Sequence, residues 1–193
     1  DRLVTPIIIN GDMSVAQRAT SVTSKTSGGY YTVDRMEMAI NFGTWSISQS
    51  TDTPSGEGFS NSFKLDCTAT GTPTAGQELK FRQKIEGQNL QMLKKGTSNA
   101  EYMTLAFWVK STKTGTYIIE MRDDDNNRNI CGAYTINASN TWEKKILSFA
   151  GDTTGAYSND NGQSLQCTFW LGAGSNFTSG TLATSWESTT NAN

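Results

Sequence analysis

The chain of 193 residues contains no histidine, and this absence excludes several kinds of active site. Ser-His-Asp and Cys-His triads, zinc sites with imidazole ligands and histidine pH switches all need that residue. Cysteine is scarce as well, and Cys67, Cys131 and Cys167 lie far apart and form no CxxC pair. We interpret them as three buried thiols without a disulfide, the alternative being one disulfide and one remaining thiol.

The sequence also has few charged residues and no long apolar run. Charged residues make up 18% of the chain and the formal net charge is -2, which gives no electrostatic reason to expect nucleic acid or an anionic membrane surface as a partner. No stretch approaches the roughly 18 apolar residues that a membrane span needs. We therefore expect neither nucleic-acid binding nor membrane insertion.

What the sequence does have is alternation of apolar and polar residues with a period of two, which is typical of β-strands with one buried face. The pattern predicts strands near residues 4–9, 33–40, 44–49, 63–67, 79–85, 101–110, 117–121, 129–137, 142–149 and 165–172. Turns rich in Asn, Asp and Gly separate many of them, as in β-sandwiches. Helical spacing is confined to 87–95, where we expect one or two helical turns.

The predicted fold is therefore all-β: a two-sheet antiparallel β-sandwich with little helix, formed by residues 1–193 as one domain. Residues 1–33 are its N-terminal strand and loop segment. Residues 175–193 have weak strand signal and are predicted to be a weakly ordered tail.

Two predicted strands place a tryptophan on the face that should be solvated. In 101–110 and 165–172 the inward positions are apolar, which leaves Trp108 and Trp170 pointing outward. Aromatic rings on a polar sheet face can stack against sugar rings. The predicted carbohydrate-binding residues are Tyr102, Trp108, Gln166, Thr168 and Trp170, with Thr104 as a further hydroxyl. Alternatively, a flanking segment such as 12–33, or a second subunit, covers this face.

Acidic residues are concentrated in two turns, Asp123-Asp124-Asp125-Asn126-Asn127-Arg128-Asn129 and Asn159-Asp160-Asn161-Gly162. We interpret both as solvated β-turns, with calcium as the alternative, because neither has the spacing of an EF-hand loop. No spacing rule brings Glu101, Glu120, Glu143 and Glu187 together as a glycosidase pair. The sequence therefore predicts no catalytic residue, no metal ligand and no cofactor.

Several motifs resemble a pattern found in tail-fibre and other virion structural proteins of phages, especially marine phages. The matching segments cover nearly the whole chain: Ile7-Ile8-Ile9-Asn10-Gly11-Asp12-Met13, Gln17-Arg18, Tyr31-Thr32-Val33-Asp34-Arg35-Met36, Gln83-Lys84-Ile85-Glu86-Gly87-Gln88, Leu105-Ala106-Phe107-Trp108-Val109-Lys110-Ser111, Asn140-Thr141-Trp142-Glu143 and Phe169-Trp170-Leu171-Gly172-Ala173-Gly174-Ser175-Asn176-Phe177. The chain departs from the pattern at Ala19, where Gly is usual, and at Met36, where Trp is usual. The pattern itself continues past residue 193 with further strands.

This resemblance implies a galactose-binding-like jelly roll, the architecture of many carbohydrate-binding modules, located on the virion and outside the cell. It implies a host-surface glycan as partner and self-association as a homotrimer, and Asn10-Gly11-Asp12 partly matches a stretch near a structural calcium in such modules. An open sheet edge would also invite pairing with another chain. The alternative is a purely structural or assembly domain of a virion appendage. Because the motifs have no catalytic content, we expect that the chain is not an enzyme.

Overall fold

The computed structural model describes residues 6–189 as two layers of antiparallel strands. This range contains twelve strands, two 3-10 turns (Gly87–Asn89 and Gln91–Leu93) and one short helix. In chain order they are β1 (Ser21–Lys25), β2 (Gly29–Tyr30), β3 (Glu37–Ile40), β4 (Thr44–Ser50), β5 (Ser62–Ala69), β6 (Glu78–Glu86), β7 (Met103–Val109), β8 (Gly115–Asp123), β9 (Arg128–Ile136), β10 (Glu143–Phe149), β11 (Gln163–Ala173), α1 (Ser175–Thr178) and β12 (Glu187–Ser188).

One layer is a continuous seven-stranded sheet, the long sheet, with strand order β12-β9-β8-β11-β6-β3-β2. The other layer is divided into a three-stranded sheet, β1-β4-β5, and a two-stranded sheet, β10-β7. Each of the paired strands runs antiparallel to its neighbour. The predicted all-β antiparallel sandwich with little helix is thus confirmed.

The core has two parts, one under each half of the divided layer. The larger lies between the two-stranded sheet and β6, β8, β9 and β11, and the smaller lies between the three-stranded sheet and β3 and β6. A row of aromatic rings joins the two parts, with successive ring centroids 5.5, 4.5, 5.2 and 5.1 Å apart. This aromatic row consists of Phe63, Phe81, Phe169, Phe107 and Tyr134.

Gln83 of β6 is a polar residue on the inward side of the long sheet, and it is 2% exposed. Its Oε1 accepts the N–H of Ile9 at 2.7 Å, and its Nε2 donates to the C=O of Ile9 at 2.8 Å. The amide therefore satisfies both backbone groups of Ile9, in a partly buried segment that has no strand partner. Ile7 and Ile8, immediately before Ile9, pack against the larger core.

Two strand predictions near the N-terminus need correction. The strand predicted at 4–9 is wrong for residues 6–9, which form bends and a turn, while residues 4 and 5 lie outside the described range. The strand predicted at 33–40 begins only at Glu37, because residues 33–36 turn and the N–H of Met36 donates to the C=O of Val33. In both places apolar residues enter the core from irregular backbone, which a period-two pattern does not detect.

Two of the three cysteines are buried, and no disulfide joins cysteines in the described part of the chain. Burial raises the pKa of the Cys131 and Cys167 thiols to about 12. Cys67 is exposed, contrary to the prediction that all three are buried. It shares the face of Phe63 and Leu65, but β5 extends beyond the end of the core, and its last four residues face solvent.

The segment after β11 lies against the rest of the fold between residues 175 and 189. Helix α1 follows β11, and β12 then pairs with β9. Between them Ala183 is 2% exposed, and Trp186 donates its Nε1–H to the C=O of Ala150 at 2.7 Å. Within residues 6–189 no helix has the length and apolar character needed to cross a membrane.

Candidate functional site

The two tryptophans that were predicted to form one binding face lie on opposite sides of the sandwich. Trp108 alternates with the core residues of β7 and therefore stands on the outer side of the two-stranded sheet. Trp170 alternates with the core residues of β11 and stands on the outer side of the long sheet. Packed sheets lie about 10 Å apart and outward side chains point away from the partner layer, so the two indoles do not share a site.

Trp170 is 7% exposed, and its predicted exposure to solvent is wrong. Its Nε1–H donates to Glu120 Oε2 at 3.0 Å, and Lys80 Nζ lies 4.1 Å from its ring centroid. The ring of Phe177, in α1, packs at 5.4 Å. A flanking segment thus covers this indole, as the alternative interpretation expected, but the covering ring comes from α1 and not from residues 12–33.

Gln166 and Thr168, on the same face as Trp170, are buried as well, with exposures of 6% and 2%. The Nε2 of Gln166 donates to Asp124 Oδ2 at 2.6 Å, which engages the amide within the protein. Their predicted availability for a ligand is therefore also wrong.

The outer side of the two-stranded sheet keeps the rest of the predicted set together. Tyr102, immediately before β7, is 73% exposed, Trp108 is half-buried, and the Thr104 hydroxyl lies 3.4 Å from that of Ser148. Ile146 of β10 is 62% exposed on the same side. Lys144 is exposed on this side too, so the surface combines apolar side chains with one ammonium and two aliphatic hydroxyl groups.

A second surface, which was not predicted, has a different character. Seven residues line an open depression of about 470 Å³, within the size range of ligand pockets. We call it the ionic depression because five of its residues are charged; its members are Gln17, Arg18, Tyr30, Asp34, Arg35, Lys84 and Glu86.

Arg35 and Glu86 form a tight pair in this depression. Nη2 of Arg35 donates to both carboxylate oxygens of Glu86, at 2.9 and 2.8 Å, and to the C=O of Lys84 at 3.1 Å. The hydrogen bond from Arg35 holds the pKa of Glu86 below its usual range, and the same pair raises the pKa of Arg35. Arg35 has a φ of 73°, a left-handed backbone conformation that costs about 1 kcal/mol or more for a residue with a side chain. This strained residue is the one whose guanidinium lines the depression and pairs with Glu86.

Arg18 and Asp34 form a looser pair beside an aromatic ring. Nη1 of Arg18 lies 3.4 Å from Asp34 Oδ1, and the guanidinium carbon lies 5.5 Å from the ring centroid of Tyr30. Tyr30 is 39% exposed. Among residues 6–189, neither the Tyr30 hydroxyl nor the Gln17 side-chain amide finds a hydrogen-bond partner. These groups are therefore available to a ligand.

The wall of the depression is built by the loop of residues 10–18. Asn10 donates from Nδ2 to the C=O groups of Val15 and Asp34, at 2.9 and 3.0 Å, and its Oδ1 accepts the N–H of Val15 at 2.9 Å. The N–H of Gln17 donates to Asp34 Oδ1 at 3.2 Å. Asn10 is thus engaged by backbone groups of the loop and of Asp34.

The sequence patterns did not predict the ionic depression, although most of its residues lie in motifs described above. Gln17, Arg18, Asp34, Arg35 and Glu86 all belong to motifs that carry the phage resemblance. No local spacing connects them, since Arg35 and its partner Glu86 are 51 positions apart. Only the pairing of β3 with β6 brings the two segments side by side.

The acidic turn at 123–129 is one of the two turns for which calcium was the alternative to a solvated β-turn. No cluster of three or more His, Cys, Asp or Glu residues suited to a metal ion occurs in residues 6–189. Asp123 pairs with Lys95 at 2.6 Å, Asp124 with Arg122 at 2.9 Å, and Asp125 accepts the N–H of Ser158 at 2.9 Å. The three carboxylates therefore diverge toward separate protein partners.

No protein-family model and no curated protein matches the chain. Among solved structures it is similar to the crystal structure of the enzymatically active domain of tailspike protein 4 from bacteriophage CBA120. The identity is 22% and the TM-score is 0.48, over 84% of this chain. The chain spans 18% of the length of that tailspike structure.

This comparison contradicts the expectation that the chain is not an enzyme, because the similar structure is described as an enzymatically active domain. We withdraw that expectation. The description belongs to the phage tailspike, most of which lies outside the aligned part, and it assigns no reaction to this chain.

Proposed function

We propose that the protein is a carbohydrate-binding β-sandwich module of a phage virion appendage, acting outside the cell on a host-surface glycan. The phage resemblance of its motifs supports the setting. The observation that carries the proposal is the ionic depression, where an exposed aromatic ring and two arginine–carboxylate pairs line one concavity of ligand size.

A sugar ring has an apolar C–H face and a rim of hydroxyl groups, and the ionic depression offers partners for both. The Tyr30 ring is a surface for the C–H face. The Arg18–Asp34 and Arg35–Glu86 pairs hold donors and acceptors in fixed positions, which suits neighbouring hydroxyl groups. Each charge is already paired, so a neutral ligand adds hydrogen bonds without leaving a buried charge uncompensated.

The test is a glycan array followed by calorimetric titration of the glycans that bind. Replacing the aromatic ring, Tyr30→Ala, should weaken binding at least about tenfold, a loss of about 1.4 kcal/mol. The matched control is Tyr102→Ala, which removes the more exposed tyrosine on the two-stranded sheet and should leave the dissociation constant unchanged.

Two outcomes would overturn this proposal in different ways. An array without any bound glycan would remove the carbohydrate-binding function. Binding that is lost in Trp108→Ala but retained in Tyr30→Ala would move the site to the two-stranded sheet, where Tyr102, Thr104 and Trp108 were predicted to bind.

A second candidate function is assembly, and the exposure of Ile146 and Tyr102 on the two-stranded sheet favours it. In this case the surface contacts a second copy of the chain, as in the homotrimer that the resemblance implies. Light scattering would detect the oligomer, and Ile146→Lys should dissociate it while leaving glycan binding in the ionic depression intact.

A further inference from the structure

Lys95 is a charged side chain enclosed at one end of the larger core. It follows the 3-10 turn Gln91–Leu93, and its side chain is only 3% exposed. A buried ammonium is rare in proteins unless it has partners, because removing the charge from water is costly. The groups around its Nζ therefore show how the buried charge is compensated.

Four oxygen atoms surround Lys95 Nζ, and we call them the oxygen cage. Oδ2 of Asp123 lies at 2.6 Å and Oδ2 of Asp152 at 3.1 Å. The carbonyl oxygens of Thr154 and Gly155 lie at 2.8 and 2.7 Å. An ammonium group has three protons, so it has no directed hydrogen bond for each of four acceptors. The cage therefore surrounds a point charge, as oxygen ligands surround a metal ion.

The oxygen cage is held in place by groups other than Lys95. Asn126 donates to Asp123 from its backbone N–H at 3.1 Å and from its side chain at 2.9 Å. Arg128 donates to both oxygens of Asp152, at 2.7 and 3.2 Å, and the N–H of Thr154 donates to Asp152 Oδ1 at 3.0 Å. These contacts should keep the two carboxylates in position when the ammonium is removed.

The charge of the cage favours a cation. Asp123 and Asp152 contribute two negative charges, and Arg128 compensates one of them from outside the cage. Without Lys95 one buried negative charge would remain, and an uncompensated buried charge is strongly destabilising. Carboxylate and backbone carbonyl oxygens are the ligands that Ca²⁺ takes, and the cage supplies four of them, with water completing the six to eight that the ion needs.

We propose that Lys95 fills a calcium-type site with the protein's own ammonium group. The ammonium joins residue 95 to two separate segments, 123–126 and 152–155, and a bound Ca²⁺ would join these two segments to each other. Removing the side chain opens the site, so that the oxygen cage binds Ca²⁺ in place of the lysine.

The experiment compares thermal unfolding in EDTA and in millimolar CaCl₂, with MgCl₂ as the ionic control. The wild-type midpoint should be the same in all three. Lys95→Ala should have a lower midpoint in EDTA, and CaCl₂ should raise it by about 5 °C, as expected for a ligand that binds only the folded state. Lys95→Met keeps most of the side-chain volume and should not respond to Ca²⁺. Lys94→Ala, which removes the neighbouring exposed lysine, should behave like the wild type.

The proposal is overturned if CaCl₂ leaves the Lys95→Ala midpoint unchanged, or if it stabilises wild type and Lys95→Met to the same extent as Lys95→Ala. Should Lys95→Ala fail to fold without Ca²⁺, refolding in CaCl₂ is expected to succeed. The double variant Lys95→Ala/Asp123→Asn removes the excess negative charge, so it should fold in EDTA and show no Ca²⁺ response. A double variant that stays unfolded would show that charge is not what the ammonium provides.

Discussion

At the scale of single residues, Glu143 shows how a surface carboxylate can contribute to stability. It accepts hydrogen bonds from the backbone N–H groups of Asn137 and Ala138, at 2.9 and 2.8 Å, and pairs with Lys145 at 2.6 Å. The hydrogen bond from Lys145, followed by that from Ala138, lowers the pKa of Glu143 to about 2. The carboxylate therefore anchors the turn before β10 only while it is charged.

The lowered pKa of Glu143 fixes the direction of a pH dependence. The stabilising contribution is fully present above the unfolded-state pKa of about 4.3 and is lost as the pH falls toward 2. Glu143→Gln should therefore lower the thermal midpoint at pH 6 and should have a smaller effect at pH 3. Thermal unfolding curves of the wild type and of Glu143→Gln between pH 3 and pH 6 test this prediction. A difference in thermal midpoint that stays constant with pH would contradict it.

At the scale of elements, the period-two pattern predicted ten strands, and most match the observed strands within one or two residues. It succeeded where one face of a strand is buried, as for Leu165, Cys167 and Phe169 of β11. It failed where an apolar segment is held by a side chain, as Ile9 is by Gln83. It also gave the outward direction of Trp170 but not what covers it, because Phe177 belongs to a segment with no periodic signal.

The contact between Gln83 and Ile9 predicts how the N-terminal segment is attached. Gln83→Leu would remove both hydrogen bonds to the backbone of Ile9, and an intramolecular hydrogen bond contributes about 0.5–1.5 kcal/mol. We expect the free energy of unfolding to fall by about 1–3 kcal/mol in chemical denaturation. Proteolysis should also cleave near residue 9 sooner. Gln88→Leu, at an exposed position near the end of β6, is the control, and an equal effect of both variants would refute the role of the amide.

At the scale of the whole molecule, the aromatic row couples the two parts of the core. Within this row Phe81 and Phe169 connect the two parts of the core, and their rings are stacked with an interplanar angle of 9°. Because the long sheet also runs under both parts, we expect one cooperative unfolding transition, with the same midpoint by far-UV circular dichroism and by tryptophan fluorescence.

Removing one ring of this central aromatic pair should lower the free energy of unfolding substantially. Phe169→Ala is expected to lower the free energy of unfolding by about 3 kcal/mol, since it removes a large packed ring that touches two other rings. Phe59→Ala, at a position that is 38% exposed, should change it by less than about 1 kcal/mol. Similar losses in the two variants, or two separate transitions in the wild type, would contradict the coupling.

The long sheet ends on both sides in strands of only two residues, β2 and β12. A neighbouring molecule at the β2 border finds only two residues of that strand to extend, too few to start a stable ladder. At the other border β12 pairs only with Arg128 and Asn129 of β9, and Ala133 and Thr135 lie exposed farther along that strand. Copies held at high local density can therefore stay separate at the β2 border, whereas the β9 border has no such protection.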